Sequence, residues 1–173
     1  MATLDEIKAL LGAPGFHWSD PAPWARLERE LGVSLPADFR EFTDAYGPVE
    51  INEQLYLEHP GHPVRNLGEK IREWIEHWSD EDDAEFLPAP AGSGPGELLP
   101  VATATTGEFV FLRVPDGPSA PWGMGVLETD TLEYVPYDEL AFGDWLLAYL
   151  RGEDVTVHSH NFAPDQPFYR PLT

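Results

Sequence analysis

The chain contains no cysteine, which excludes a disulfide framework, a thiolate nucleophile and a Cys-based metal site, and suits a reducing cytosol. It has no apolar run approaching the roughly 18 residues that a membrane span requires. Its N-terminus, MATLDEIKALLGAPG, places acidic residues where a secretory signal would need a basic start and an uninterrupted apolar stretch, so the expected location is cytoplasmic. Basic residues are also scarce. Ten Lys and Arg stand against 31 Asp and Glu, a formal net charge of -21 at pH 7. A field of that sign repels phosphates, which argues against nucleic acid and anionic membrane surfaces as partners; it would steer a cationic protein to the surface, or serve only to keep the chain soluble.

Catalytic signatures are missing as well. There is no Gly-x-Ser-x-Gly nucleophile elbow. The glycine-rich piece Gly92-Ser93-Gly94-Pro95-Gly96 lacks a following Lys-Ser/Thr and a helix start, and its proline removes an amide that would face phosphate, so it reads as a linker. Paired carboxylates abound simply because the chain is acidic, and therefore say nothing about acid-base catalysis. His158 and His160 lie two apart, which on a strand puts both imidazoles on one face, and His59 and His62 sit in a Pro/Gly loop. Two such pairs do not make a metal set, and they read as solvent-facing or hydrogen-bonding histidines. The expectation is a protein with no cofactor, no metal and no chemistry of its own.

What is present is ample material for a core. At 173 residues, 42% of them hydrophobic and including six Trp and nine Phe, the chain is expected to form one domain that buries roughly 70% of its unfolded surface. The stretch Trp24 to Gly47 reads as two short amphipathic helices joined by a Leu-Pro hinge. In the first, Trp24, Leu27 and Leu31 share a 3.6-residue face, with Asp20 and Pro21 opening it and Gly32 ending it. In the second, Pro36 suits a first turn, Phe39, Phe42 and Tyr46 repeat the spacing, and Gly47 is expected as the left-handed residue beyond its end.

This pattern resembles the SUKH superfamily of bacterial immunity proteins. The residues that carry it are Trp24, Leu27, Glu28, Leu31, Gly32, Leu35, Pro36, Phe39, Phe42, Tyr46 and Gly47. Phe142, Trp145 and Leu146 look like that superfamily's C-terminal helix, so the likeness covers most of residues 20–152. The resemblance implies an antidote that binds and blocks a cognate toxin. Eukaryotic relatives imply an alternative, a regulatory or scaffold module engaging a host protein.

Elsewhere, Thr3 and Glu6 form a capping-box pair for a helix carrying Leu4, Ile7 and Leu11, with Gly12 beyond its end. Residues 49–58 alternate as one strand, its apolar Val49, Ile51, Leu55 and Leu57 opposed by a wet face that includes Glu50 and Glu58; Glu53 breaks the alternation. Asn66 and Glu69 open a helix striped by Leu67, Ile71, Trp74, Ile75 and Trp78. Residues 79–97, acidic and then rich in Pro, Gly and Ala, read as a surface loop. Leu98–Thr103 and Glu108–Val114 flank a Thr-Gly turn as a hairpin, and Val126–Val135 adds a further strand or two. A last helix is expected from Asp138 to Gly152, followed by a tail with strand residues Val155 and Val157. This order predicts an α+β fold, a mainly antiparallel twisted sheet flanked by helices.

Partner-binding candidates follow from the charge. Glu50 and Glu58 on the strand, with Asp80, Glu81, Asp82, Asp83 and Glu85 on the loop, would offer a cationic toxin an acidic patch. Trp24, Trp74, Trp78 and Trp145 fall on helical stripes and belong to the core. Trp18 and Trp122 lie among Pro, Gly, Ser and Asp, where they would serve either as exposed anchors for a partner or as lids over the core.

Overall fold

A computed structural model of the chain describes residues 2–156 and 164–173; Val157, His158 and His160 fall outside the described residues. The elements run α1 (Leu4–Leu11), α2 (Ala22–Leu31), α3 (Ala37–Tyr46), β1 (Val49–Ile51), β2 (Leu55–Leu57), α4 (Leu67–Trp78), α5 (Glu81–Ala84), β3 (Leu98–Ala104), β4 (Glu108–Arg113), β5 (Gly123–Glu128), β6 (Glu133–Tyr137), α6 (Phe142–Leu150) and β7 (Tyr169–Pro171). All strands join one antiparallel sheet in the order β6-β5-β4-β3-β2-β1-β7. This is the α+β architecture expected from the order of elements.

The helices begin and end where short-range chemistry dictates. Thr3 Oγ1 accepts the Glu6 amide at 3.3 Å, Asp20 Oδ1 accepts the Ala22 amide at 2.9 Å, and Asn66 Oδ1 accepts the Glu69 amide at 3.1 Å, so otherwise orphaned first-turn donors are satisfied. Gly32 closes α2 in the left-handed region at φ 72°. The hinge between α2 and α3 is held by Glu28, whose carboxylate accepts the Leu35 amide at 2.5 Å and pairs with Arg40 at 3.4 Å. Asp38, in the first turn of α3, accepts the Gly143 amide at 2.8 Å and so ties α3 to the start of α6.

Apolar side chains separate into two clusters, one on each face of the sheet. The larger gathers Trp24, Leu27, Phe39, Phe42 and Tyr46 with Phe142, Trp145 and Tyr149 over strand residues such as Val110, Leu112 and Val126. Phe39 stands edge-on to both Trp24 and Phe142, at centroid distances of 6.0 and 4.9 Å. On the opposite face, Trp78 of α4 packs with Leu87, Ala91, Leu98, Phe111 and Leu127. Trp24, Trp78 and Trp145 are buried as expected, whereas Trp74 is half-buried.

Several expectations are corrected. Residues 49–58 form a tight hairpin in place of a single strand: Ile51 pairs with Leu55, Asn52 and Glu53 between them adopt left-handed φ of 56° and 55°, the Gln54 N–H donates to the Ile51 carbonyl at 2.9 Å, and Glu53 breaks the alternation because it occupies that turn. Residues 79–97 are not wholly a surface loop. Beyond α5 the chain lays Leu87 and Ala91 on the second face of the sheet, because that face would otherwise leave Phe111 and Leu98 in water. Gly47 has an extended backbone, φ -75°, in place of a left-handed one. It is required for closeness instead, since a Cβ there would stand 2.8 Å from the Thr43 carbonyl. The last helix starts at Phe142, as Asp138 is engaged by Arg113 at 2.7 Å. Val155 is buried but lies in no strand; the tail instead contributes β7.

Candidate interaction surface

The seven acidic candidates fall into two groups that differ in what surrounds their charge. Glu50 and Glu58 are buried, 4% and 5% exposed, which overturns the wet strand face expected for them. The physical reason is the last strand. β7 pairs with β1 on the side away from β2, so β1 becomes an interior strand, and Arg170 lies opposite Glu50 in register. Its guanidinium donates to both Glu50 oxygens, at 3.0 and 2.8 Å. Glu58 has Arg65 at 3.7 Å, and burial pushes its carboxyl above the usual carboxylate range while Arg65 and Lys70 pull it back.

The loop acids are placed differently. Asp80 caps α5 by accepting the Asp82 amide at 3.0 Å, and Glu81 and Asp82 project from that turn into solvent. Asp83 lies 3.7 Å from the His77 imidazole, and Glu85 is exposed. Among the described residues, Arg40, Arg65, Lys70, Arg72, Arg113 and Arg170 each sit within 4 Å of a carboxylate, so much of the small cationic complement is already engaged internally. The 31 acidic side chains far outnumber these partners, and the outward field remains negative.

Neither tryptophan candidate is fully exposed. Trp18 is half-buried, stacks on His59 with centroids 4.1 Å apart, and donates its Nε1–H to the Gly47 carbonyl at 2.7 Å. Trp122 is half-buried against the larger apolar cluster. Each covers neighbouring buried groups, Trp18 the His59 ring and Trp122 the edge of the core.

Beneath Trp18 lies a knot of polar groups. His59, fully buried, places Nε2 at 2.8 Å from Asp44 Oδ1, the same oxygen that accepts Trp24 Nε1–H at 2.8 Å. His59 Nδ1 accepts the Gly61 amide at 2.9 Å. A nitrogen that accepts a backbone N–H carries no proton, so the tautomer is fixed with the hydrogen on Nε2. Desolvation holds the imidazole below its usual range, only partly opposed by Asp44. A histidine-carboxylate pair invites comparison with an acid-base dyad, but both ring nitrogens are committed and an indole covers the ring, leaving none to take a substrate proton. Its work is structural, joining α2, α3 and the N-terminal loop to the end of β2. The loop histidine and Trp18 were legible in the sequence only as separate residues.

Among the described residues no group of three or more His, Asp or Glu side chains converges as a metal ion would require. Also among the described residues, no helix is long and apolar enough to cross a membrane.

A clasp of aromatic helices on one face of an antiparallel sheet, with an acidic exterior, defines a SUKH-type α+β domain. Residues 20–148 match the SMI1/KNR4 family (SUKH-1), and the chain belongs to that family. The family includes immunity-type proteins. No curated protein matches the chain in sequence.

Proposed function

We propose that this protein is a cytoplasmic immunity protein, an antitoxin that binds a cognate, basic toxin domain and blocks its activity without chemistry of its own. The observation that carries this reading is the unneutralised acid on the surface of a SUKH-1 chain. The described ion pairs engage cations that are already few, while Glu81, Asp82 and Glu85 stand in solvent on a single short segment. Such a surface raises the encounter rate with a cationic face and discourages binding to phosphates. The alternative, a regulatory or scaffold module, needs no such charge.

Growth of cells that express a candidate toxin domain, with and without this chain, tests the proposal. Survival on co-expression, with association that slows markedly between low and high salt as the Debye length falls from roughly 10 Å at 0.1 M to about 3 Å at 1 M, is the expected outcome. Cell death despite abundant folded protein would contradict it.

A further inference from the structure

The second face of the sheet is covered unevenly. α4 and the 86–91 segment lie over β3 and β4, but toward β5 and β6 the cover stops, leaving a cleft of about 590 Å3. Its walls are Phe86 and Leu87 on one side and Tyr134 and Pro136 of the edge strand β6 on the other, with Leu98 at its base. The sequence makes this room. Gly125, facing Pro136 across the β5–β6 pair, has no side chain, and the Tyr134 ring lies down into that space; a Cβ at Gly125 would collide with the Tyr134 hydroxyl.

The cleft's mouth is charged. Arg113 is its one cation, and that guanidinium is spanned by Asp138 at 2.7 Å and Asp116 at 3.8 Å. Opposite them stands Glu85, exposed and without an ion-pair partner among the described residues, at the end of the acidic run that begins at Asp80. An apolar, aromatic-walled slot with surplus carboxylate at its lip suits a side chain with an apolar stem and a cationic head. Arginine fits best, because its planar guanidinium stacks on aromatic rings and meets carboxylates with two donors. A second copy of this chain is a poor occupant, since two bodies of charge -21 repel.

We infer that the cleft between the 85–89 segment and β6 receives an arginine side chain from a basic segment of the partner protein, its stem between Phe86 and Tyr134 and its guanidinium at Glu85 and Asp138. This rests on the binding role proposed above and gives that role a location. It also divides labour among the loop acids, with Asp80 to Asp83 steering from outside and Glu85 making contact.

The test is an NMR titration of the full chain with n-butylguanidinium and, separately, with its neutral counterpart n-butylurea. Saturating amide shifts confined to Phe86, Leu87, Arg113, Tyr134 and their neighbours are expected for the guanidinium. The affinity should fall roughly three- to fivefold in Glu85→Gln, the loss of one exposed charge contact, and n-butylurea should bind more weakly still. Ala89→Trp, which plugs the cleft from its wall, should abolish the shifts while the remainder of the spectrum is preserved. Shifts scattered elsewhere, no saturation, or equal binding of the two probes would overturn the inference. The growth assay then separates the two proposals. Rescue by the parent and by Ala89→Trp alike removes the cleft from the toxin contact and leaves the immunity role standing, while failure of the parent to rescue removes the immunity role whatever the probes do.

Discussion

His59 and Asp44 are joined at 2.8 Å beneath the indole of Trp18, and the second ring nitrogen of His59 is occupied by the Gly61 amide at 2.9 Å. The arrangement requires a neutral imidazole. Protonation would set an N–H against the Gly61 N–H and place a charge where solvent does not reach.

The pH dependence follows from that requirement. The folded-state pKa of His59 lies below its unfolded value of about 6.5, so the unfolded chain takes up the proton first as pH falls. Its contribution to stability is complete above about pH 6.5 and is lost as pH drops from there toward the lowered folded pKa. Urea denaturation across pH 5 to 8 should show stability declining on the acid side, with a shallower slope for His59→Gln, which keeps a donor for Asp44 and cannot titrate. Equal slopes in the two proteins would refute the neutral-imidazole assignment.

The aromatic clasp predicts large losses on truncation. Phe39 and Phe42 are each 1% exposed and meet Phe142 across the helix junction. Phe39→Ala or Phe42→Ala should cost about 3–5 kcal/mol, the transfer term plus the cavity left behind. Thermal and chemical denaturation would read this directly, and an alanine variant as stable as the parent would show that these rings do not hold the helices to the sheet.

Glu50 and Arg170 form an asymmetric pair, the carboxylate 4% exposed and the guanidinium largely in solvent. Removing Arg170 alone strands a buried charge, whereas Glu50→Gln alone strands none. Arg170→Ala should therefore destabilise more than the double variant Glu50→Gln/Arg170→Ala. A double-mutant cycle with no coupling would mean that β7 docks through its backbone and Tyr169 alone.

Tyr134 carries a hydroxyl that is buried without a hydrogen-bond partner among the described residues, and burial, with Asp138 nearby, pushes its pKa upward. An unsatisfied buried hydroxyl is a cost, so Tyr134→Phe should be neutral or more stable by up to about 1 kcal/mol. A marked loss of stability would reveal a partner for that hydroxyl.

The helices were readable because their signals are local. Thr3, Asp20 and Asn66 announce three starts within a few residues, and the Trp24, Phe39 and Phe42 stripes point at one core. The acidic patch was harder because its outcome depends on distant chain. Glu50 reads as solvent-facing from its own strand, and only Arg170, 120 residues further on, reveals that the strand lies inside the sheet. The 86–91 segment hides its role for a related reason. Leu87 and Ala91 are isolated among prolines and show no period, yet they are buried because the face carrying Phe111 and Leu98 would otherwise meet water. Tyr134 and Gly125 carry no sequence signal at all for a cleft, since the space arises from register across β5 and β6.

The steering role proposed for the loop can be separated from contact. Reversing Asp80, Asp82 and Asp83 to Lys should slow association with a basic toxin chiefly, with little change in dissociation, as charges at a rim do. Stopped-flow kinetics across salt would register it, and an unchanged on-rate together with full protection would leave the loop's acidity as a solubility feature.

The central claim is that this chain silences a toxin by occupying it, and titration of toxin activity in vitro tests that most directly. Purified toxin domain should lose its activity in proportion to added protein, reaching complete inhibition near one equivalent, with both chains recovered chemically unchanged after separation. Undiminished toxin activity at a large excess of folded protein, or a toxin found covalently altered by substoichiometric amounts, would contradict the account.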